Sequence, residues 1–592
     1  MASASAETTS AGIRRQQAES LEGTLASRQA RGAGSAHLQG LRNDAVAALA
    51  AAAIASLLVV FVHPGPDTPA HVYRLALFRQ DGLSLWTTQW YDGMYAFVNY
   101  SVLYYPLAAL TGISRLAVIS VAVGTAAGSN VLRRGWGPRA VPATVALAVT
   151  WPFIVLSSEY PFILASAFAA LALVAFAHAT DGTLDRSLGD RRSRWRKGLA
   201  LTAFLLMALC SLAASALAFL ALAAAVVVTI VRRRSWRRDW LVLAVVLVLG
   251  GAEALTMRMF SSAGLYPFPL SNFAEVTGFG ILCLVLCRGV RELRLLADAA
   301  IALLVVTFVV FVVPSPVGAN LSRIRFAAIV AVVLIATVRH WRPRALCAAG
   351  LAATVVWVAS PTVDNFTRPF DEASSAFWQP AITFVHHHSA PDYRVEVVDT
   401  VEHWGSYYFP LAGIPLVRGW FRQADFPTND LLYADGPLHP ASYRQWLRSQ
   451  GVDYVVLPNA PLDPSARSEA RLLHSGRSGL VPVLSAPNET VYALPHPEPI
   501  VTGPKPARVL RAGVEAIVIR FRAPGQYRIA ERWSPYWHPS SGCVGPTRDG
   551  MLQLNLPHPG VVRLTMELRF SAMADALINP DASSSASGSC NA

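Results

Sequence analysis

Ten ionisable residues stand at the edges of long apolar runs, where charge is expensive: Asp67, His71, Arg74, Asp92, Glu159, Glu253, Arg258, Glu275, Arg323 and Arg325. A charge in or beside the bilayer core is unfavourable by roughly 2.5–3.5 kcal/mol on insertion scales, so such residues mark either a site or a pairing. Carboxylates can accept protons and guanidiniums can hold anions, and here both types fall on one side of the apolar runs. The stretch "HPGPDTPAHVYRLALFRQDG" (63–82) poses the question most sharply, because Asp67 suits either helix capping or chemistry at the membrane surface.

Within that stretch Thr68 is a good N-cap and Pro69 suits the first helical position. A helix starting there places His71 and Arg74 on one side and Leu75 and Phe78 near the interface, so it should lie along the membrane surface. Asp67 then precedes the N-terminus, where the helix dipole alone explains an acid. Downstream, "LWTTQWYDGMYAFVNYSVLYYP" is crowded with Trp86, Trp90, Tyr91, Tyr95, Tyr100, Tyr104 and Tyr105. Such residues anchor at membrane interfaces; the sharper reading has Trp90 and Tyr91 stack on a sugar beside Asp92, whose Asp-Gly pair predicts a turn presenting the carboxylate to a cavity.

The elements that must position these residues follow from composition. At 592 residues, 53% hydrophobic and 15% charged, the chain falls well below the roughly 25% charged residues of soluble domains. Apolar runs predict eleven spans, near 44–62, 113–132, 140–157, 160–178, 198–213, 216–231, 240–257, 274–287, 295–313, 325–339 and 345–360. Arginines crowd the N-terminal tail and every second loop ("RRGWGPR", "RRSRWRK", "RRRSWRR", "RGVRELR", "RHWRPR"). That pattern places the N-terminus in the cytoplasm and residues 361–592 outside the cell membrane. The net charge of +13 is therefore a topology signal and argues against a nucleic-acid partner.

The predicted organisation is a disordered cytoplasmic tail (1–43), a polytopic α-helical transmembrane domain (44–360) with a long first outer loop (63–112), an extracytoplasmic mixed α/β region (361–500), a β-rich, sandwich-like module (501–578) and a flexible C-terminus (579–592). A cleaved secretory signal is not expected, because the first apolar run starts too late and runs too long. Four of the six cysteines lie in or beside spans, and Cys543 and Cys590 are candidates to pair outside. Three adjacent histidines at 386–388 cannot all face one ion, so no metal site is assigned. Asn365 and Asn488 match the glycosylation sequon.

An acid directly after the first span (Asp67), a surface helix in a long first outer loop, a second acid between the third and fourth spans (Glu159 in "LSSEYPF") and an outer β-rich domain resemble the GT-C superfamily of polyprenyl-phosphate-sugar-dependent glycosyltransferases. "LVRGWFRQADFPTND" and "YRQWLRSQGVDYVVLP" are similar to segments of large actinobacterial membrane proteins of this kind. The resemblance implies inverting transfer of a sugar from an outward-facing polyprenyl phosphate to a hydroxyl of a cell-envelope glycan or lipid. It casts Asp67 as base, acting alone or with Asp92 or Glu159 sharing the work, and Arg323, Arg325 and Arg74 as phosphate binders, the alternative for these arginines being ordinary lipid headgroups; His71, Trp90 and Tyr91 complete the candidate substrate site. No cofactor is implied beyond a possible divalent cation.

One departure stands out: many members carry two adjacent acids after the first span, whereas Pro66 and Thr68 flank a single Asp67. A non-catalytic envelope assembly or glycan-binding protein therefore stays open. A lipid or glycan transporter is disfavoured, because charged or broken segments at mid-membrane are scarce. An ATP-driven one lacks its phosphate-cradling Gly-rich loop.

Overall fold

The computed structural model describes residues 38–98, 100–180, 198, 201–210, 216–232, 240–260, 264–434 and 436–578. Residues 1–37 of the expected disordered tail (1–43), the basic loop at 191–197, the C-terminal segment 579–592 and Cys590 lie outside the described residues, whereas residues 38–43 are already helical; Cys543 is disulfide-bonded.

Among the described residues, eight helical segments are long and apolar enough to cross a membrane. In chain order the helices are α1 (Leu38–Phe61), α2 (Thr68–Asp81), α3 (Tyr104–Thr111), α4 (Ile113–Trp136), α5 (Val141–Thr150), α6 (Tyr160–Thr180), α7 (Leu201–Cys210), α8 (Ala216–Arg232), α9 (Trp240–Met259), α10 (Leu270–Cys287), α11 (Arg294–Val312), α12 (Arg325–Val338) and α13 (Arg344–Thr367). The other three expected spans correspond to the second half of 113–157 and to α7 and α8. Residues 113–157 form one helical run of 45 residues, but Gly137 at φ +57° turns it, so that α5 and the 3-10 turn after it fold back on α4. Glycine suits that reversal because it adopts positive φ without a Cβ penalty. Of α7 the described residues cover ten, Leu201–Cys210, and α8 is 17 residues long. Helix α13 continues through Pro361 to Thr367, past the expected boundary at 360.

Beyond the bundle lie two further units. Strands β1 (Trp86–Thr87) and β2 (Met94–Tyr95) form a small hairpin in the first outer loop. The mixed unit holds α14 (Ser375–His388), α15 (Gly405–Leu411), α16 (Arg422–Thr428), α17 (Asp430–Tyr433), α18 (Pro440–Ser449) and α19 (Arg467–His474) around β3 (Arg394–Val397), β4 (Val452–Pro458), β5 (Val481–Ser485) and β6 (Glu489–Ala493). These strands run in the order β3-β4-β6-β5, with β3 and β4 parallel.

The last unit stacks two four-stranded sheets, built from β7 (Val501–Thr502), β8 (Arg508–Ala512), β9 (Ala516–Phe521), β10 (Gly525–Arg532), β11 (Trp537–Pro539), β12 (Cys543–Pro546), β13 (Met551–Leu556) and β14 (Gly560–Met566). Alternation shows why: Ile517, Ile519 and Phe521 are buried while Arg520 between them is exposed, the period-two pattern of a sheet with one covered face. Helix α20 (Phe570–Ile578) then packs beside α9.

Candidate active site

Two turns carry the site's acids, and the sequence clamps them together. Ser158, in the left-handed region at φ +57°, accepts hydrogen bonds from the Gly65 amide (2.8 Å) and the Thr68 hydroxyl (2.7 Å). Gly65 lies so close that an added Cβ would strike the Leu156 carbonyl oxygen, which explains a residue without one. Asn365 ties in the far side, its Nδ2 donating to the Leu156 carbonyl at 2.6 Å. Asn365 is 3% exposed, so that sequon is spent on packing. Asp67 and Glu159 thus leave the bundle side by side, each from a turn fixed by the other.

Asp67, not Thr68, occupies the N-cap position of α2, and its side chain caps no helix amide. The Thr68 hydroxyl is drawn off by Ser158. The Asp67 Oδ1 instead accepts a hydrogen bond of 2.8 Å from the indole Nε1 of Trp420 in the outer unit. The helix does not lie open on a membrane surface either: α15 and α3 cover it, and Tyr73, Arg74, Leu75 and Leu77 are buried.

Arg323 and Glu159 stand 2.8 Å apart and are largely buried. Tyr100 links the groups: burial pushes its phenol up to about 12, and Arg74, Asp67, Arg323 and Glu159 all act on it electrostatically. Tyr266 is raised above the usual phenol range by burial and by Asp67 and Glu159, with Arg422 and Arg323 opposing. Two acids and at least three arginines therefore share one field. Arg74 is 2% exposed, with its guanidinium 4.3 Å from the Tyr100 ring and 5.2 Å from Phe421, and its Nη2 has no partner among the described residues. Aromatic faces hold a desolvated cation, and the free donor is available to an anion. Arg325 lines a cleft of about 570 Å³ between α10 and α13, with Phe279, Leu282, Val356 and Trp357 as apolar walls. The Arg325 Nε likewise lacks a partner among the described residues.

The outer unit contributes residues that sequence reasoning missed. Trp420 is stacked on His403, ring centroids 3.2 Å apart, and has the Arg422 guanidinium 4.9 Å from its ring. His403 Nδ1–H donates to Asp399 at 2.7 Å, and Arg422 grips Asp463 with two hydrogen bonds of 3.0 and 2.7 Å. Asp399, His403 and Asp463 bring ligand atoms within 4.8 Å of one another. Their oxygens are better matched to Arg422 and Ser465, which already supply four donors to Asp463, than to an ion. The segment holding Trp420 and Arg422 lies in the quoted stretch "LVRGWFRQADFPTND", which marked it by resemblance, but no periodicity singled out either residue for a role.

Four sequence-selected residues do not join this cluster as expected. Asp92 is 1% exposed and faces Arg394 and Arg532, each 3.6 Å away; Arg394 also binds Glu531 at 2.6 Å. Its turn does present the carboxylate inward, but to a buried ionic knot, because the outer units close over the loop. Burial raises the Asp92 carboxyl and Arg394 opposes it. Trp90 is fully buried, stacked on Tyr73 at 4.1 Å, with Nε1 donating to the Ser406 carbonyl. The Tyr91 hydroxyl donates to the Gly419 carbonyl. Neither ring has a face left for a sugar. His71 is also fully buried, sharing a hydrogen bond of 3.1 Å with the Tyr105 hydroxyl; burial, then Arg74 and Arg323, hold its imidazole down at about 3. It is neutral and cannot serve as a phosphate-binding cation.

No family model matches the chain, and no curated protein matches it. Among solved structures the chain is similar to ArnT from Cupriavidus metallidurans in the apo state, at 12% identity over 76% of this chain and 97% of that one with a TM-score of 0.40. It is also similar to the same protein bound to undecaprenyl phosphate, at 14% identity over 76% and 97% with a TM-score of 0.37. A third is the Archaeoglobus fulgidus oligosaccharyltransferase in the apo form, at 13% identity over 71% and 69% with a TM-score of 0.42. At these values the likeness carries no argument about function.

Proposed function

We propose that the protein is a multi-pass membrane glycosyltransferase of the GT-C type, moving a sugar from a polyprenyl-phosphate donor to a hydroxyl of a cell-envelope glycan or lipid on the extracytoplasmic side. The reading rests on one observation: half-buried Asp67 stands beside the Glu159–Arg323 pair under the outer unit, in one field with Arg74. A cleft headed by Arg325 opens into the apolar region nearby.

In this reading the apolar cleft takes the polyprenyl chain and Arg325 meets its phosphate. Asp67 accepts the acceptor's hydroxyl proton as the oxygen attacks the anomeric carbon. The bond from that carbon to the phosphate oxygen breaks, and the negative charge left on the phosphate is held by Arg323, Arg325 and Arg74. Glu159 positions Arg323. Trp420 fixes one oxygen of Asp67, directing the other toward the acceptor. Asp92 works as a strut.

The test is label transfer from a panel of polyprenyl-phosphate sugars to candidate acceptors by the full chain in lipid nanodiscs, wild type beside Asp67→Asn. The wild type should turn over and the variant should be slower by at least about 100-fold, the usual reach of a lost general base. Equal turnover by both would remove Asp67 from the chemistry. No turnover by the wild type on any donor would favour a non-catalytic envelope assembly protein.

A further inference from the structure

At the end of the membrane bundle remote from the outer units, the turn from α10 to α11 reads "CRGVRELR" (287–294). It borders a cavity of about 600 Å³ whose lining has two chemistries. Leu284, Val285 and Ile301 come from the membrane-spanning parts of α10 and α11, whereas Arg288, Arg291 and Arg294 come from the turn. All three arginines are exposed.

The roles that usually occupy such arginines are already filled. Arg339 covers the C-terminal carbonyls of α10, its Nη1 donating to those of Leu286 at 2.9 Å and Arg288 at 3.1 Å. The acid within the turn, Glu292, is engaged by Arg139 at 3.6 Å. Among the described residues no carboxylate pairs with Arg288, Arg291 or Arg294. Orientation in the membrane asks for positive charge in this loop, but it does not ask for a cavity that continues the charge into apolar walls.

We infer that this cavity binds an anionic phospholipid, its phosphate held by Arg288, Arg291 and Arg294 and one acyl chain lying along Leu284, Val285 and Ile301. Forked guanidiniums match phosphate oxygens, and basic pockets between spans suit anionic headgroups. The site faces the leaflet opposite the candidate active site and is independent of the function proposed above.

The test is native mass spectrometry of the full chain in detergent, titrated with phosphatidylglycerol, phosphatidylcholine or inorganic phosphate. Phosphatidylglycerol should bind at least about tenfold more tightly than phosphatidylcholine, and R291Q/R294Q should lose roughly 10- to 30-fold in that affinity. Val285 is 53% exposed, so V285W fills the apolar wall without entering the core; it should weaken phosphatidylglycerol and leave the melting temperature unchanged. R342Q/R344Q, in a separate basic loop, should bind as the wild type does. An equal loss in R342Q/R344Q, or none in R291Q/R294Q and V285W, would overturn the site in favour of diffuse surface charge. Displacement of the lipid by millimolar inorganic phosphate would reduce it to a simple ion site.

Discussion

Asp67 touches the indole N–H of a residue 353 positions away. A hydrogen bond to a charged group contributes about 1.5–3 kcal/mol, so Trp420→Phe, which keeps the ring against His403 but removes the donor, should lower kcat roughly 10- to 100-fold with little change in KM. The measurement is steady-state label transfer, once a donor is identified. Asp67, Glu159, Arg323 and Arg325 were legible in the sequence because charge beside a bilayer is costly and therefore conspicuous. Asp92 was conspicuous for the same reason, yet its cost is met by Arg394 and Arg532, which a residue-by-residue reading cannot pair. Trp420 sits in a stretch marked only by resemblance and His403 in none; both lie outside any apolar run, and only the tertiary fold brings Trp420, with His403 stacked on it, to Asp67.

At the scale of elements, apolar runs located the spans and alternation located the strands, because each period is set by local geometry. What the runs could not supply was the reversal at Gly137, the loss of Thr68 from the cap to Ser158, and the passage of α13 through Pro361. Each depends on a partner distant in sequence. The clamp between the Asp67 and Glu159 turns is the element on which the site depends most. Gly65→Ala drives a methyl toward the Leu156 carbonyl, so it should destabilise the protein by about 1–3 kcal/mol, the usual cost of overpacking, and slow transfer more than the melting loss explains. Ser158→Ala removes two acceptor contacts without a clash and should cost about 1 kcal/mol per bond. Differential scanning fluorimetry beside the transfer assay separates the two effects.

Across the whole molecule, the outer units carry buried acids without a paired cation among the described residues: Glu372, Asp453 and Glu489 are 2%, 7% and 1% exposed. Burial pushes each up to about 7, opposed by hydrogen bonds from Thr400, Ser389 and the Ala381 amide respectively. The folded state therefore holds protons that the unfolded chain releases near pH 4. Stability is full below that value and declines as pH rises toward 7, on the order of 1–2 kcal/mol per group between pH 5.5 and 7. Thermal melts should thus fall from pH 5.5 to 8, and D453N/E489Q, which keep the shape without the titration, should flatten the slope. A melting temperature that rises over this range would contradict it.

Trp420 reaches Asp67 only after the ribosome has made all of the membrane helices and part of the segment that follows them. A chain halted in the bilayer after α13 would hold Asp67 and Glu159 yet lack the indole that binds the Asp67 carboxylate. Under the function proposed above, synthesis thereby acts as an interlock: a half-made molecule stays idle until its last units have folded and come down on α2.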